Sequence, residues 1–339
     1  MELYGGIDLH STNSVIVLKD ENGKQVERRR VPNDIELVVR LLMPMRSSIK
    51  GLAVESTYNW YWLVDGLMNA GFKVHLANPA AMKQYEGIKY TDDDSDAAWL
   101  ADMLRLGILP EGYIYPKHER PVRDLLRKRS HLVRQRTANI LSIQNLLARN
   151  SGGQVSGNKV QSWTTEDMDG LFSDPDLALP VKAGRAVIDV LNEQIAALQE
   201  TVMSRACLRP EYKVLLTVSG IGKILALTVM LETGDISRFP MVGDYASYCR
   251  CVASKRISNG KRKGSGNTKS GNKYLAWAYV EAANFAVRYE PIIQRFHQRK
   301  MAKTMRVVAT KAVAHKLARA CYHMLKEQVP FDVGRAFSC

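Results

Sequence analysis

The 339 residues are enough for two or three domains with cores of their own. Hydrophobic residues make up 46% and charged residues 24%, and no apolar run reaches the roughly 20 residues that a bilayer helix needs, so a membrane role is not expected. The net charge of +14 is one-sided: residues 206–339 carry 23 Lys/Arg against 8 Asp/Glu, while residues 1–205 carry 25 against 26, which points to a polyanion partner.

In chain order, Leu3–Leu9, Ser14–Lys19 and Gln25–Val31 read as three strands, the first two turns marked by polar and glycine residues. A helix capped at Asn33/Asp34 runs to Leu42, and a strand Leu52–Glu55 follows. A helix over 59–70 stops at Gly71, Lys73–Ala77 is a short strand, and Asn78-Pro79 opens a short helix. Three strands followed by alternating helix and strand is the order of a ribonuclease-H-like fold. From Arg120 to about Arg149 the chain reads as a long basic helix, and Pro180 to about Met203 as a second amphipathic one. Ser151–Thr165, rich in Gly, Ser and Asn, reads as a loop between them, giving a helical hairpin suited to an oligomerisation arm. Tyr212–Val218, then Ser219-Gly220-Ile221-Gly222, then Lys223–Leu231 resembles a helix-hairpin-helix. Helical stretches at 274–287 and 305–326 close the chain, with Trp277, Tyr279 and Phe285 read as core. The five cysteines show no Cys-x-x-Cys spacing and the opening residues do not read as a signal peptide, so reduced thiols and a cytoplasmic location are expected.

Four acids stand out against this layout. Asp8 lies in the first strand and Glu55 ends the run Gly51-Leu52-Ala53-Val54-Glu55. Asp93 and Asp96 open an apolar helix pattern at a spacing that puts both on one helical face. Singly, each is an ordinary cap or turn residue. Together they form an oxygen-only donor set suited to Mg²⁺ and to phosphodiester chemistry. Asp92, Asp94 and Asp102 read as capping and dipole compensation, and His10, His75 and His118 as structural.

Nucleic-acid contacts are expected in the basic half. Gly220 and Gly222 would let backbone amides approach a phosphate, with Lys223 at the start of the next helix. The segment 254–273 carries seven Lys/Arg, four glycines and no acid, including Lys255, Arg256, Lys261, Arg262, Lys263, Lys269 and Lys273. Such a run is better explained by a bound polyanion than by a solvated loop. Arg127, Lys128 and Arg134 extend the basic surface to the long helix. Ser258 would pass unnoticed but for Lys255, Arg256, Lys261 and Arg262 around it, cations able to stabilise an alkoxide and a pentavalent phosphorus.

Over nearly its full length the chain resembles the DEDD transposases of the insertion-sequence one-hundred-and-ten family, especially the eleven-eleven branch. The resemblance rests on Gly6-Ile7-Asp8, Ala53-Val54-Glu55-Ser56-Thr57, 91–97 and Leu104-Arg105-Leu106-Gly107, and further on Ser219-Gly220-Ile221-Gly222, Tyr248-Cys249-Arg250-Cys251, Ser258-Asn259-Gly260-Lys261 and Gly271-Asn272-Lys273-Tyr274-Leu275. It implies an α/β RuvC-like domain over 1–119, a helical coiled-coil arm over 120–205, and a mainly helical transposase domain over 206–339. It places the four acids at Asp8, Glu55, Asp93 and Asp96 and the nucleophilic serine at Ser258. Asp92, beside Thr91, is the other reading for the third acid; counting back from Asp96-Ala97 favours Asp93. Donor and target DNA, a non-coding bridge RNA, Mg²⁺, and a homo-oligomer between dimer and tetramer are implied with it. The rival reading is a RuvC-like nuclease that hydrolyses DNA with water, Ser258 being a bystander. An actin-like ATPase, whose first strand also carries Gly-x-Asp, lacks a matching second phosphate loop here.

Overall fold

Why the chain opens as a sheet is visible in its alternation. β1 (Leu3–Leu9), β2 (Asn13–Asp20) and β3 (Gln25–Pro32) form an antiparallel meander, with Leu3, Ile7 and Leu9 buried on one face of β1. The turn between β2 and β3 is made by Asp20, whose carboxylate accepts from the Asn22 and Lys24 amides at 3.0 and 2.8 Å. The computed structural model describes residues 1–82, 93–206, 208–252, 255–259, 261–265 and 270–337, with the side chains at 93–95, 255–258, 262 and 265 outside that description. The described chain forms two units: residues 1–117 with 256–270, and residues 118–255 with 271–339.

In the first unit, α1 (Ile35–Leu42) is capped by the Asp34 carboxylate, as its sequence signature requires. β4 (Ile49–Glu55) then joins the other side of β1 in parallel, α2 (Tyr61–Asn69) crosses over, and β5 (Val74–Ala77) adds a parallel edge. The sheet order is β3-β2-β1-β4-β5. Val38, Leu42, Leu63 and Leu67 cover one face. After α3 (Pro79–Met82), α4 (Asp93–Arg105) covers the other. Lys19 of β2 forms an ion pair with Asp102 of α4, and Arg105 bonds the same carboxylate at 3.3 Å, so Asp102 is a structural acid.

In the second unit, α5 (Arg120–Ser151) and α8 (Pro175–Ala206) run antiparallel. Arg129 bonds Gln199 at 2.9 Å and Arg136 bonds Asn192 at 2.7 Å, one heptad apart on each helix. Ile143, Leu147, Val181 and Ile188 make the apolar seam further out. The expected loop over 151–165 is instead partly helical: α6 (Gly157–Ser162) and α7 (Thr165–Asp169) close the tip. Their polar composition conceals two caps, at Ser156 and in the Thr164/Asp167 capping box, and the buried Val160, Trp163 and Met168.

α9 (Pro210–Leu215) and α10 (Lys223–Thr233) follow, α10 being buried on nearly all sides. α11 (Val242–Tyr248) precedes the paired strands β6 (Lys255–Ser258) and β7 (Lys261–Ser265). α12 (Lys273–Tyr289), α13 (Pro291–Met301), α14 (Arg306–Glu327) and α15 (Val333–Phe337) complete the unit. A buried hydroxyl chain links Thr233 to Tyr245 at 2.9 Å and Tyr245 to Tyr279 at 2.7 Å. Tyr279 is core, as expected, but Trp277 and Phe285 are both 43% exposed, because they occupy the opposite face of α12. No described helix is long and apolar enough to cross a membrane.

Candidate active site

Asp8 and Glu55 stand side by side at one end of the sheet. The parallel ladder pairs Ile7 with Val54, so the next residues on each strand are the two acids. Both lie on the face that α4 covers: Gly6, two before Asp8, meets the α4 backbone, and Ala53, two before Glu55, packs with Leu100. A Cβ on Gly6 would stand 1.9 Å from the Ala97 carbonyl oxygen, so only glycine allows this approach. Leu104 lies near Gly51, lower on β4, and Ala97 packs with Val15, the partner of Asp8. The helix therefore runs down the sheet, with its N-terminal turn, carrying Asp93 and Asp96, at the end where Asp8 and Glu55 stand. Asp8 is 3% exposed, and His10 Nε2 lies 3.4 Å from its carboxylate.

Sequence reasoning reads His10 as merely structural and misses the amides around it. The His10 carbonyl accepts from Asn33 Nδ2 and Asn59 Nδ2, each at 3.0 Å. Asn59 follows Glu55 on the chain and is oriented by Thr57 at 2.8 Å, so the segments after β1 and β4 are held to each other. Spacing offered the only signal: His10 is two residues beyond Asp8. The donor chemistry, carboxylate oxygens on one face, fits Mg²⁺. Among the described residues no three such side chains are gathered closely enough to hold an ion, and the side chain of Asp93 is outside the description. Asp92 lies outside the described residues altogether.

Ser258 ends β6, and Asn259, at φ +49°, starts the turn into β7. Composition alone suggests a glycine-rich loop here. The Asn259-Gly260 dipeptide is the hairpin signal that such a reading misses. Although distant in sequence, residues 256–270 belong to the same compact unit as Asp8, Glu55 and Asp96. The points where the chain leaves and re-enters the second unit are cinched together. The Asn272 amide donates to the Tyr248 carbonyl at 2.6 Å, and Arg250 donates twice to the Gly271 carbonyl, at 3.0 and 2.8 Å. Asn272 Nδ2 also donates to the buried Glu232 at 2.7 Å. Burial pushes the Cys249 thiol well up and those of Cys251 and Cys321 to about 12, which removes these cysteines as nucleophiles.

Residues 5–150 match the DEDD transposase family of the IS110 type, and residues 212–298 match the transposase IS116/IS110/IS902 family. The transposase for insertion sequence element IS1111A of Coxiella burnetii (strain RSA 493 / Nine Mile phase I) is 23% identical over 291 residues, covering 84% of this chain and 78% of that protein. This chain belongs to the IS110 transposase family. As a transposase it is an enzyme that acts on DNA.

Lys128, Arg134, Lys223, Lys261, Lys263 and Lys273 of the transposase are exposed. Gly222 is the N-cap of α10 and makes no side-chain cap; a Cβ added there would meet nothing within 4 Å, so the helix N-terminus is open. Gly220 has a packing task as well. Its φ of +94° and a Cβ position 2.4 Å from the Ala282 carbonyl show a packing glycine against α12. The Arg127 guanidinium forms two bonds, at 2.6 and 2.7 Å, with Glu232, and lies 4.7 Å from the Tyr274 ring centre. A buried carboxylate requires such a partner, so Arg127 is a structural cation. Arg120 and Arg123, at the start of the long basic helix, are buried. Lys255, Arg256 and Arg262 lie on β6 and β7 with side chains outside the description, and Lys269 is outside the described residues.

Proposed function

We propose that this transposase exchanges DNA strands through a phosphoserine intermediate at Ser258, formed in a composite site with Asp8, Glu55, Asp93 and Asp96. The observation that supports this reading best is the membership of residues 256–270 in the unit that carries the acids. The β3-β2-β1-β4-β5 order, with an antiparallel meander and two parallel strands, is consistent with a ribonuclease-H-like, RuvC-like domain. Ser258 Oγ would attack a DNA phosphorus, forming one phosphoester as the bond to the leaving sugar oxygen breaks and the serine proton passes to that oxygen. Attack by a second strand's hydroxyl reverses the step, so exchange needs no external energy source. Lys261 and Lys263 follow the serine in sequence and would offset charge on the phosphate. The four acids are the residues that would hold Mg²⁺, which when bound supplies Lewis-acid stabilisation of the phosphate oxygens.

The helix-hairpin-helix reading of α9 and α10 is supported by the open N-terminus at Gly222. A guiding RNA rests on the family resemblance, and the exposed cations suit RNA as well as DNA. The hairpin of α5 and α8 is suited to joining subunits into a dimer or tetramer. The test is a covalent-adduct assay with donor and target DNA, Mg²⁺ and RNA transcribed from the element's flanks. Wild type should give a protein–DNA adduct on a denaturing gel, and Ser258→Ala and Asp8→Ala should give none. Hydrolysed ends without adduct, undiminished in Ser258→Ala, would make the enzyme a water-using nuclease.

A further inference from the structure

Between α14 and the segment 329–336 lies a cavity of about 500 Å³, within the range of small-ligand sites. Its polar wall is a ridge of α14, where His315, Arg319 and His323 recur every four residues, in steps of about 6 Å along the helix. Arg335 of α15 adds a further cation, and Asp332 is the one acid on the wall among the described residues. The remaining lining is apolar, chiefly Met324, Pro330 and Phe331. Lys316 shapes the cavity: its ammonium donates to the Ala336 carbonyl at 3.0 Å and lies over the Phe296 and Phe337 rings, which holds α15 against α14. Phe331 is fixed by its amide, which donates to Thr217 at 2.8 Å.

The charges on this wall are incompletely answered. Arg335 and His323 share Glu327, at 3.3 and 3.4 Å. Arg319 and His315 make no hydrogen bond or ion pair with any described residue. Burial, then Arg319 and Lys316, hold His315 below the usual histidine range, an effect that an incoming anion would oppose. No acid occurs from Pro291 to Lys326, so α14 carries no acid until Glu327, its last residue. A cationic lane ending beside a firm apolar surface is how proteins hold single strands: phosphates on the charges, a base on the apolar side. Strand exchange by a transposase passes through unpaired nucleotides, which supply such a ligand.

We propose that this cavity receives one unstacked nucleotide of a single-stranded nucleic acid, its phosphate at Arg319 and Arg335 and its base against Pro330 and Phe331. The proposal rests on the chain being a transposase and is independent of whether Ser258 is the nucleophile. Fluorescence anisotropy on the full chain tests it, with labelled oligothymidylate and oligouridylate of about twelve nucleotides and a duplex of equal length. Arg319→Glu removes the unanswered cation at an exposed position. Ala320→Leu and Ala320→Trp fill the cavity to two extents, and their melting temperatures identify any that fail to fold. The ratio of single-strand to duplex affinity should fall about tenfold in Arg319→Glu and in the folded Ala320 variants. Loss on one polymer alone identifies which strand the cavity takes; loss on both assigns it to the shared nucleotide. An unchanged ratio in all variants overturns the proposal. So does an effect of Arg319→Glu alone while a folded Ala320 variant binds like wild type, because charge without a cavity would then suffice.

Discussion

A methyl group on Gly6 would stand 1.9 Å from the Ala97 carbonyl oxygen and 2.6 Å from the Ala101 nitrogen, atoms of a helix backbone that cannot step aside. Gly6→Ala should therefore cost about 3 kcal/mol or more, measured by denaturant unfolding, because α4 must lift from β1. The same lift would carry Asp96 away from Asp8, so DNA cleavage should fall further than stability alone explains. Gly220→Ala meets the Ala282 carbonyl at 2.4 Å and a φ of +94°, and should destabilise the second unit in the same manner. Gly222→Ala is the contrast. Its Cβ would meet nothing within 4 Å and its φ is −85°, so stability should change by no more than about 0.5 kcal/mol. A drop in DNA affinity in that folded variant would support a phosphate at the α10 N-terminus; unchanged affinity would remove it from the interface.

Within the second unit, α5 is tied to α10 and α12 through one carboxylate. Glu232, 2% exposed on α10, accepts from Arg127 of α5 and from Asn272, the N-cap of α12. Arg127→Ala leaves that charge buried with two of its three hydrogen bonds gone, at a cost of about 3–5 kcal/mol by thermal or chemical unfolding, whereas Arg127→Met with Glu232→Leu should recover most of it. If the single variant melts like wild type, the pair is not what fixes α5. A second joint is pH-sensitive. His297 on α13 lies 3.2 Å from Thr310 on α14, and burial with Arg306 nearby lowers its pKa. The unfolded chain then binds more protons than the folded one below the ordinary histidine value, so stability is full above that value and is lost as pH falls through it. The melting temperature should drop between about pH 7.5 and about pH 5.5, and His297→Gln should flatten that slope. Elements whose own sequence carries period and caps were legible: β1, α1 with its Asp34 cap, α5 and α14 fall where alternation or helical spacing puts them, and α8 does so except that it starts at Pro175 and carries Pro180 inside it. Elements whose apolar residues are few and mixed with glycine or serine were not, namely α6, α7, α11 and the β6–β7 pair. Asp8 and Glu55 were legible because an acid at the end of an apolar strand is conspicuous. His10, Asn33 and Asn59 were not, since their bonds to the same loop join residues up to 49 apart.

At the scale of the whole chain, charge counts overstate the surface offered to nucleic acid. Arg127 is paired, Arg120 and Arg123 are buried, and Arg238 lies over the Phe239 and Tyr248 rings. Six of the expected contacts remain exposed among the described side chains: Lys128, Arg134, Lys223, Lys261, Lys263 and Lys273. If each neutralises one phosphate of duplex DNA, log affinity should fall with log salt at a slope of about −5, since each contact contributes about −0.9. Lys223→Ala should bring that slope nearer zero by about 1, and so should Lys273→Ala. Arg127→Lys should leave the slope unchanged even where it lowers the melting temperature, because its charge faces Glu232. A slope near zero in the wild type would mean that these six cations face solvent and that the one-sided charge serves some other purpose. A slope reduced as much by Arg127→Lys as by Lys223→Ala would mean that the Glu232 pair opens when DNA binds.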